Sequence, residues 1–579
     1  MTGFVTGIVK REKFPSISKL AQDGELSFVN LSNGSVAFAI SNANSMQQDG
    51  FLAGYVVDPE RSIVSFSDVQ TSRPLLEGSH VRLLIGARSA EVVGDTLGNY
   101  PWFYSVGDGF LIASSSFLAA CYCLKALDVP LTFDEIGVRS RMWGNTLAQQ
   151  LISDRTYVRE IKFATAGDRL SYEYCSGVTK LIRRDWDEYL LGRDSTGLDI
   201  YERSALSAVG LLKAFAGLGA KIGLGLSGGR DSRICLALGA DLVATGQMYV
   251  NSSASHSQDF AVAQNVARWS GFTIGETGGV KSRVFRHDES LVWGSHNLCA
   301  YDGLYTANSY RVSNPPLLQI GGHGAGAIKG GYGWRPLSDI GMPTETRTEI
   351  QRFFEEHAID PDSCRASELL FLLFRNPLHS GRALASTELL SRPLGQVPMV
   401  RAAHQMAAHR ERTARAFTGT SPSGKNRLSR AIGRETAQIL NTYLARLDPM
   451  LASIPFDVES KNQSLASIDE SLSIGNGRIR TDRIEPFNAV GELPSQDGLS
   501  TSLLSMASDC GLSGELLSGE NVERVMHAGE TYANLLGPKE FSRFEAPDFV
   551  EKVRLRKAGP EATLYTRLLS LKILEPLFS

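Results

Sequence analysis

Six consecutive residues, Ser227-Gly228-Gly229-Arg230-Asp231-Ser232, combine what a phosphate-binding turn needs. Adjacent glycines let the backbone approach an anion closely, because no Cβ stands in the way. The amides of the turn, and those that open a following helix, then face that anion. Ser227 and Ser232 add hydroxyl donors. Asp231 is out of place against a phosphate unless a cation lies between them, which makes it a candidate Mg2+ ligand. The run is not a Walker A loop, since no Gly-Lys-Ser/Thr follows, and it is not G-x-G-x-x-G. A glycine turn with an ordinary helix cap would account for the glycines and one serine. It would not account for Ser-Gly-Gly-x-Asp-Ser placed after a strand.

The elements around the run supply that placement. A helical stretch, Tyr201 to Leu218, leads into the apolar run Ile222 to Leu226, and a short helix, Ser232 to Leu238, follows the loop. Further expected elements are a strand over Leu242 to Val250, a helix over Asp259 to Trp269, a strand over Phe272 to Gly275, a helix over Tyr301 to Val312 and a strand over Leu317 to Ile320. Strands that alternate with helices predict a parallel sheet covered on both faces. Ligands bind such sheets at the carboxyl ends of the strands, where the loop lies. Residues 1 to about 185 read differently, as short alternating runs such as Ser35 to Ile40 and Val81 to Ile85, separated by turn residues, and so as a β-rich domain. Beyond 345 the pattern is mostly helical, and 457 to 500 is polar and poor in aromatics, which suggests a flexible insert.

A chain of 579 residues is long enough for two or more domains. Its net charge of −3 gives no bulk attraction to nucleic acid or to an anionic membrane. The seven cysteines are scattered and include no C-x-x-C pair, which points to buried thiols rather than zinc or a disulfide framework. The charges Lys10-Arg11 come too early for a signal peptide, and Lys213 and Lys221 break the longest apolar stretch. A cytoplasmic protein is expected.

The loop resembles the pyrophosphate loop of the N-type ATP pyrophosphatases, which join AMP to an oxygen of the substrate and release pyrophosphate. Further segments resemble the asparagine synthetase family within that group. Gly94-Asp95-Thr-Leu-Gly98-Asn-Tyr-Pro101-Trp-Phe-Tyr104 is similar to the D-x-x-G-x-x-P-L-Y-Y segment of its glutaminase domain, and Leu111 to Ser116 to the F-A-S-E that follows. Thr156 to Ile161 with Ala166-Gly167 is similar to the segment that closes that domain. Ile320-Gly-Gly-His-Gly-Ala-Gly-Ala-Ile-Lys-Gly-Gly-Tyr332 aligns without gaps on L-S-G-E-G-A-D-E-L-F-G-G-Y, and Arg392-Pro393-Leu394 resembles part of a later R-x-P-F-L-D. The resemblance covers roughly residues 1 to 400. It implies a degenerate αββα N-terminal-nucleophile (Ntn) amidotransferase-like domain over 1–190, and over 195–579 a synthetase domain with a doubly wound parallel sheet and a helical C-terminal part.

The resemblance also implies roles. Asp231 and Asp302 would hold Mg2+. Ser227, Gly228, Gly229, Asp231, Ser232 and Gly322 would bind ATP, with Tyr249 on the strand where the family holds adenine. Arg230, Lys425 or Lys461 would face the α-phosphate. His323 stands where asparagine synthetase has glutamate, and would take a proton from the incoming amine. Two departures stand out. Thr2 occupies the place of the glutaminase cysteine, and the family's Asp-Glu pair is Gly326-Ala327. The H-R-G and N-G-E-I-Y-N segments that hold glutamine are missing as well. These features suggest glutamine-independent chemistry, as in β-lactam synthetase and the lasso-peptide macrolactam synthetases. The expected activity is therefore an ATP-dependent amide ligase acting on a small-molecule or peptide carboxylate and an amine. Enzymes of peptide or glycan modification fit, and a homodimer is compatible. Two other readings are sulfur transfer, disfavoured because no cysteine lies in either loop, and a non-catalytic nucleotide-binding protein.

Overall fold

The computed structural model describes residues 3–22, 24–67, 76–192, 199–277, 288–304, 317–381, 389–418, 425–493, 500–555 and 559–578. The alternating runs of the first third form strands β1 (Val5–Lys10), β2 (Leu26–Asn30), β3 (Ser35–Ile40), β4 (Gly50–Asp58), β5 (Ile63–Ser65) and β6 (Glu77–Ile85). They continue as β7 (Ser89–Gly94), β8 (Trp102–Gly107), β9 (Phe110–Ser114), β10 (Lys162–Ala164), β11 (Arg169–Glu173) and β12 (Thr179–Ile182). One antiparallel sheet has the order β10-β8-β9-β1-β3-β2, and a second runs β12-β11-β7-β6-β4-β5. Apolar side chains from both sheets share a core, with the Phe4 ring 5.7 Å from those of Phe51 and Tyr100. The helix Phe117–Ala126, capped by Ser116, packs on the first sheet through Phe117 and Phe103. The αββα expectation is met as far as two stacked sheets with a helix on one of them.

The second half is built on β13 (Lys221–Gly225), β14 (Met248–Ser253), β15 (Gly275–Thr277), β16 (Leu317–Ile320) and β17 (Leu389–Ser391). They form one parallel sheet in the order β15-β14-β13-β16-β17. The chain thus winds outward from β13 to β14 and β15, then crosses to the other side for β16 and β17. The crevice at such a reversal lies between the loops that leave β13 and β16. The helix Ile200–Gly217, capped by Asp199, joins the two halves, with Phe215 edge-on to Tyr55 and Phe66 at 5.3 Å.

Several elements differ from the sequence reading. The span 242–250 begins in the helix Ala240–Ala244, and Gly246, in a left-handed turn, resets the chain before β14. The third strand starts at Gly275 because Gly271, with φ of 72°, ends the preceding helix and the chain must turn back. Of the helix expected over Tyr301 to Val312, residues 305–316 lie outside the described residues, and Tyr301 makes a β-bridge to Gln150. Strand β17 was not expected.

The polar segment 457–500 is folded where it is described. It carries the helix Leu465–Leu472 and the strand β18 (Asn488–Val490), which pairs in parallel with β5 and completes a seven-stranded sheet. Its few apolar residues do the anchoring, as Phe487 is buried and donates its amide to Gly210. Two long helices, Val397–Thr418 and Lys425–Leu447, and the buried final helix Pro560–Leu574 make up most of the helical part. Among the described residues no helix is long and apolar enough to cross a membrane, and all seven cysteines are free thiols.

Candidate functional site

The carboxyl ends of β13, β14, β16 and β17 converge on one crevice. Leu226 leaves β13 with its amide bonded to Asn251 O of β14 at 2.7 Å, and the helix Arg230–Leu238 begins four residues later. Within the turn, the Ser227 amide donates to Ser232 Oγ at 3.1 Å and the Gly229 amide to Ser227 Oγ at 3.2 Å. The Gly228 amide donates to Asp259 Oδ1 at 3.0 Å. Side-chain oxygens therefore accept all three of these turn amides. The helix has no side-chain cap at Gly229, so its opening amides are left for a ligand or solvent. A Cβ at Gly228 would lie 2.7 Å from Asp457 Cβ, which is why glycine is needed there.

A second layer of contacts holds this turn. The buried Arg233 donates to the carbonyls of Leu451, Ile454 and Pro455 and lies over the Phe456 ring. Desolvation of this side chain pushes its pKa down to about 10. The clamped segment after the helix Pro449–Ser453 delivers Asp457, whose amide donates to Gly228 O at 3.2 Å. Lys461 Nζ pairs with Asp457 at 3.0 Å, so the first residues of the polar segment lie against the loop.

The loop after β16 closes the crevice from the other side. Gly322 is in contact with Asp231, and a Cβ on it would lie 2.7 Å from Asp231 Cβ. From the short helix Ala325–Lys329, Lys329 Nζ reaches Asp231 Oδ2 at 2.5 Å. Beyond Lys329 the chain is fixed by Glu368. This buried carboxylate accepts the amides of Tyr332 at 2.8 Å and Trp334 at 3.1 Å. Desolvation raises its pKa to about 7, against the pull of those amide donors.

Ser227, Gly228, Gly229, Asp231, Ser232, Gly322 and Lys461 thus gather at one place. His323 follows Gly322 on the same loop with its side chain exposed. Other expectations need correction. Arg230 is shared between two places: Nη1 is bonded to Ala437 O at 2.9 Å and Asn441 Oδ1 at 2.6 Å on the helix Lys425–Leu447, while Nε stays 3.7 Å from Asp231 Oδ1. Tyr249 pairs with Gly223, two residues short of the end of β13, and its hydroxyl lies over Gly223; the strand residues at loop level are Asn251 to Ser253. Lys425 opens a helix, and its side chain lies outside the described residues, as does Thr2.

Asp302 is not at the loop. It is 1% exposed and accepts from Arg141 Nη2 at 2.7 Å and Arg567 Nε at 2.8 Å, tying the helix Glu135–Arg141 to the last helix. Nor do the loops fit a protein-held Mg2+. Asp231 Oδ2 is taken by Lys329, Gly326 and Ala327 offer no ligand, and no cluster of His, Cys, Asp or Glu suited to a metal occurs among the described residues. The sequence reading passed over Lys329, although its signal was visible: a lysine where the aligned pattern has phenylalanine, directly before Gly-Gly-Tyr.

No family model matches the chain, and no curated protein matches it. Among solved structures it is similar to the allosteric regulatory enzyme of purine biosynthesis, with 12% identity over 55% of this chain and 74% of that one, at a TM-score of 0.19. It is also similar to glutamine phosphoribosylpyrophosphate amidotransferase from B. subtilis, solved with ADP and GMP, with 11% identity over 62% and 89% of the two chains and a TM-score of 0.18. At these scores the likeness carries no chemistry, which rests on the geometry above.

Proposed function

We propose that this chain is an ATP-dependent amide ligase. The nucleotide's phosphates lie along Ser227 to Ser232. A substrate carboxylate oxygen attacks the α-phosphorus and pyrophosphate leaves, giving an acyl-adenylate. An amine then attacks the acyl carbon, and AMP departs as the amide forms. Adenylation is needed because a carboxylate oxygen is a poor leaving group until it is joined to phosphorus.

The observation that carries this reading is the meeting of two glycine-rich loops at a sheet reversal, where Gly322 packs on Asp231 and Lys329 pairs with it. Lys329 and Lys461 are the cations at hand for phosphate oxygens, and preorganised charge of this kind is the usual means of stabilising phosphoryl transfer. Phosphate oxygens would displace the Asp259 carboxylate from the Gly228 amide. His323, exposed on the second loop, is the candidate base for the amine. Glutamine is not the amine source in this reading. The backbone beside Thr2 is packed, as Gly3 has the side chains of His296, Leu503 and Ser115 around it.

A second reading, a nucleotide-binding protein without catalysis, is favoured by Gly326 and Ala327, which bring no acidic side chain to the second loop. Product analysis separates the two. With ATP, a panel of carboxylates and an amine, the ligase forms AMP and pyrophosphate in step with one carboxylate. Formation of ADP and phosphate, or no turnover with ATP bound, would reject it.

A further inference from the structure

We infer that Lys329 is the resident cation of the phosphate loop, and that the loop takes the phosphate oxygens of ATP or pyrophosphate without a divalent ion held by the protein. The inference rests on the proposed reading of 227–232 as a phosphate site and adds to it the identity of the group that balances Asp231.

Three observations converge. First, an acidic side chain within a phosphate-binding turn needs a cation beside it, and Asp231 has one at 2.5 Å, the ammonium of Lys329. An ammonium and a carboxylate in direct contact form a charge-assisted hydrogen bond. Second, the loop that brings the lysine has no space for a side chain at 322 or 326 and so brings no second acidic group to Asp231. Gly322 lies in contact with Asp231 and Ser232, and Gly326 lies against the Phe371 ring, where a Cβ would be 2.5 Å from Cζ. A carboxylate at 326 would have to displace that ring. Third, the lysine is positioned rather than free-swinging. It ends the helix Ala325–Lys329, and the chain just after it is pinned by Glu368 through the amides of Tyr332 and Trp334.

The ammonium is also available. Its side chain is 40% exposed, and a lysine has three donors, of which Asp231 takes one. The remaining two can meet phosphate oxygens on the open side. Asp231 then has two tasks. It orients the ammonium, and it lowers the local positive charge so that pyrophosphate can leave. Arg230 Nε also faces Asp231, at 3.7 Å from Oδ1, but its Nη1 is bound to the helix Lys425–Leu447, whereas Lys329 makes the direct contact with Oδ2.

The test is calorimetric binding of inorganic pyrophosphate to the full chain, in EDTA and in Mg2+ at matched ionic strength. Wild-type protein is expected to bind in EDTA within about threefold of its affinity in Mg2+, since its own ammonium supplies the charge. Lys329→Met is expected to lose about tenfold or more in EDTA, the usual consequence of deleting a charged hydrogen-bond donor. Lys329→Arg keeps the charge and should lose less than Lys329→Met. Circular dichroism checks that each variant is folded, and the wild-type comparison stands even if one is not. Wild-type binding that disappears in EDTA, or Lys329→Met binding that matches wild type, would overturn the inference while leaving the phosphate site intact. No pyrophosphate binding by wild type in either buffer would overturn the phosphate site itself.

Discussion

Glu368 gives the account a test that does not depend on knowing the substrate. The carboxyl is fully buried, it holds the turn that follows Lys329, and its pKa is raised from the ordinary 4.5 to about 7, chiefly by desolvation. A group that binds its proton more tightly in the folded chain stabilises the fold at low pH, and that stabilisation is lost as pH rises between the unfolded and folded pKa values. The window is therefore from about 4.5 to about 7. A gap of about 2.5 pH units corresponds to about 3.4 kcal/mol at 1.36 kcal/mol per unit. Glu368→Gln keeps an acceptor for the amides but cannot titrate. The stability of wild type minus that of the variant should therefore fall by about 3 kcal/mol between pH 4.5 and pH 7.5 and then level off. Urea unfolding at four pH values measures this difference, and hydrogen exchange at the Tyr332 and Trp334 amides reports the local effect. Parallel stability curves for the two proteins would refute the assignment of a buried, titrating Glu368.

Three further outcomes are expected. Asp302→Asn should destabilise the protein by roughly 3 kcal/mol or more, because two buried guanidiniums lose their counter-charge; an unchanged thermal melt would refute the role of Asp302 as a structural counter-ion. His323→Ala should slow amide formation by about 10²- to 10⁴-fold while leaving carboxylate-dependent pyrophosphate exchange nearly intact; equal loss in both half-reactions would move His323 to the nucleotide site. Glutamine should not be hydrolysed, because Thr2 stands where the glutaminase has cysteine, and glutamate release by wild type above a Thr2→Ala control would contradict this.

Much of the parallel sheet was legible because its signals are local. Ile222 to Leu226, the Gly-Gly turn and the helix after it fall where periodicity places them, as does the strand at 317–320. The region 242–250 misled because Leu242 and Val243 are apolar enough for a strand, yet the turn at Gly246 follows them and the helix Ala240–Ala244 absorbs them. The segment 457–500 was misread for another reason. Its strand Asn488–Val490 is only three residues long and is formed by pairing with β5, more than 400 positions away in the chain. Site residues divide along the same line. The turn 227–232 announces itself by composition, whereas the direction of Arg230 depends on a carbonyl at Ala437, and the pairing of Asp231 with Lys329 depends on β13 and β16 being neighbours. Asp302 seemed a suitable ligand only because Arg141 and Arg567 are remote in sequence.

The central claim is that a substrate carboxylate becomes joined to AMP. The most direct measurement follows an oxygen atom. With the carboxylate that supports product formation labelled in both oxygens with ¹⁸O, one turnover should deliver one heavy oxygen to AMP, detected by mass spectrometry as AMP two mass units heavier. Unlabelled AMP alongside amide product, or label found in inorganic phosphate, would mean that activation does not proceed through an acyl-adenylate and would contradict the account.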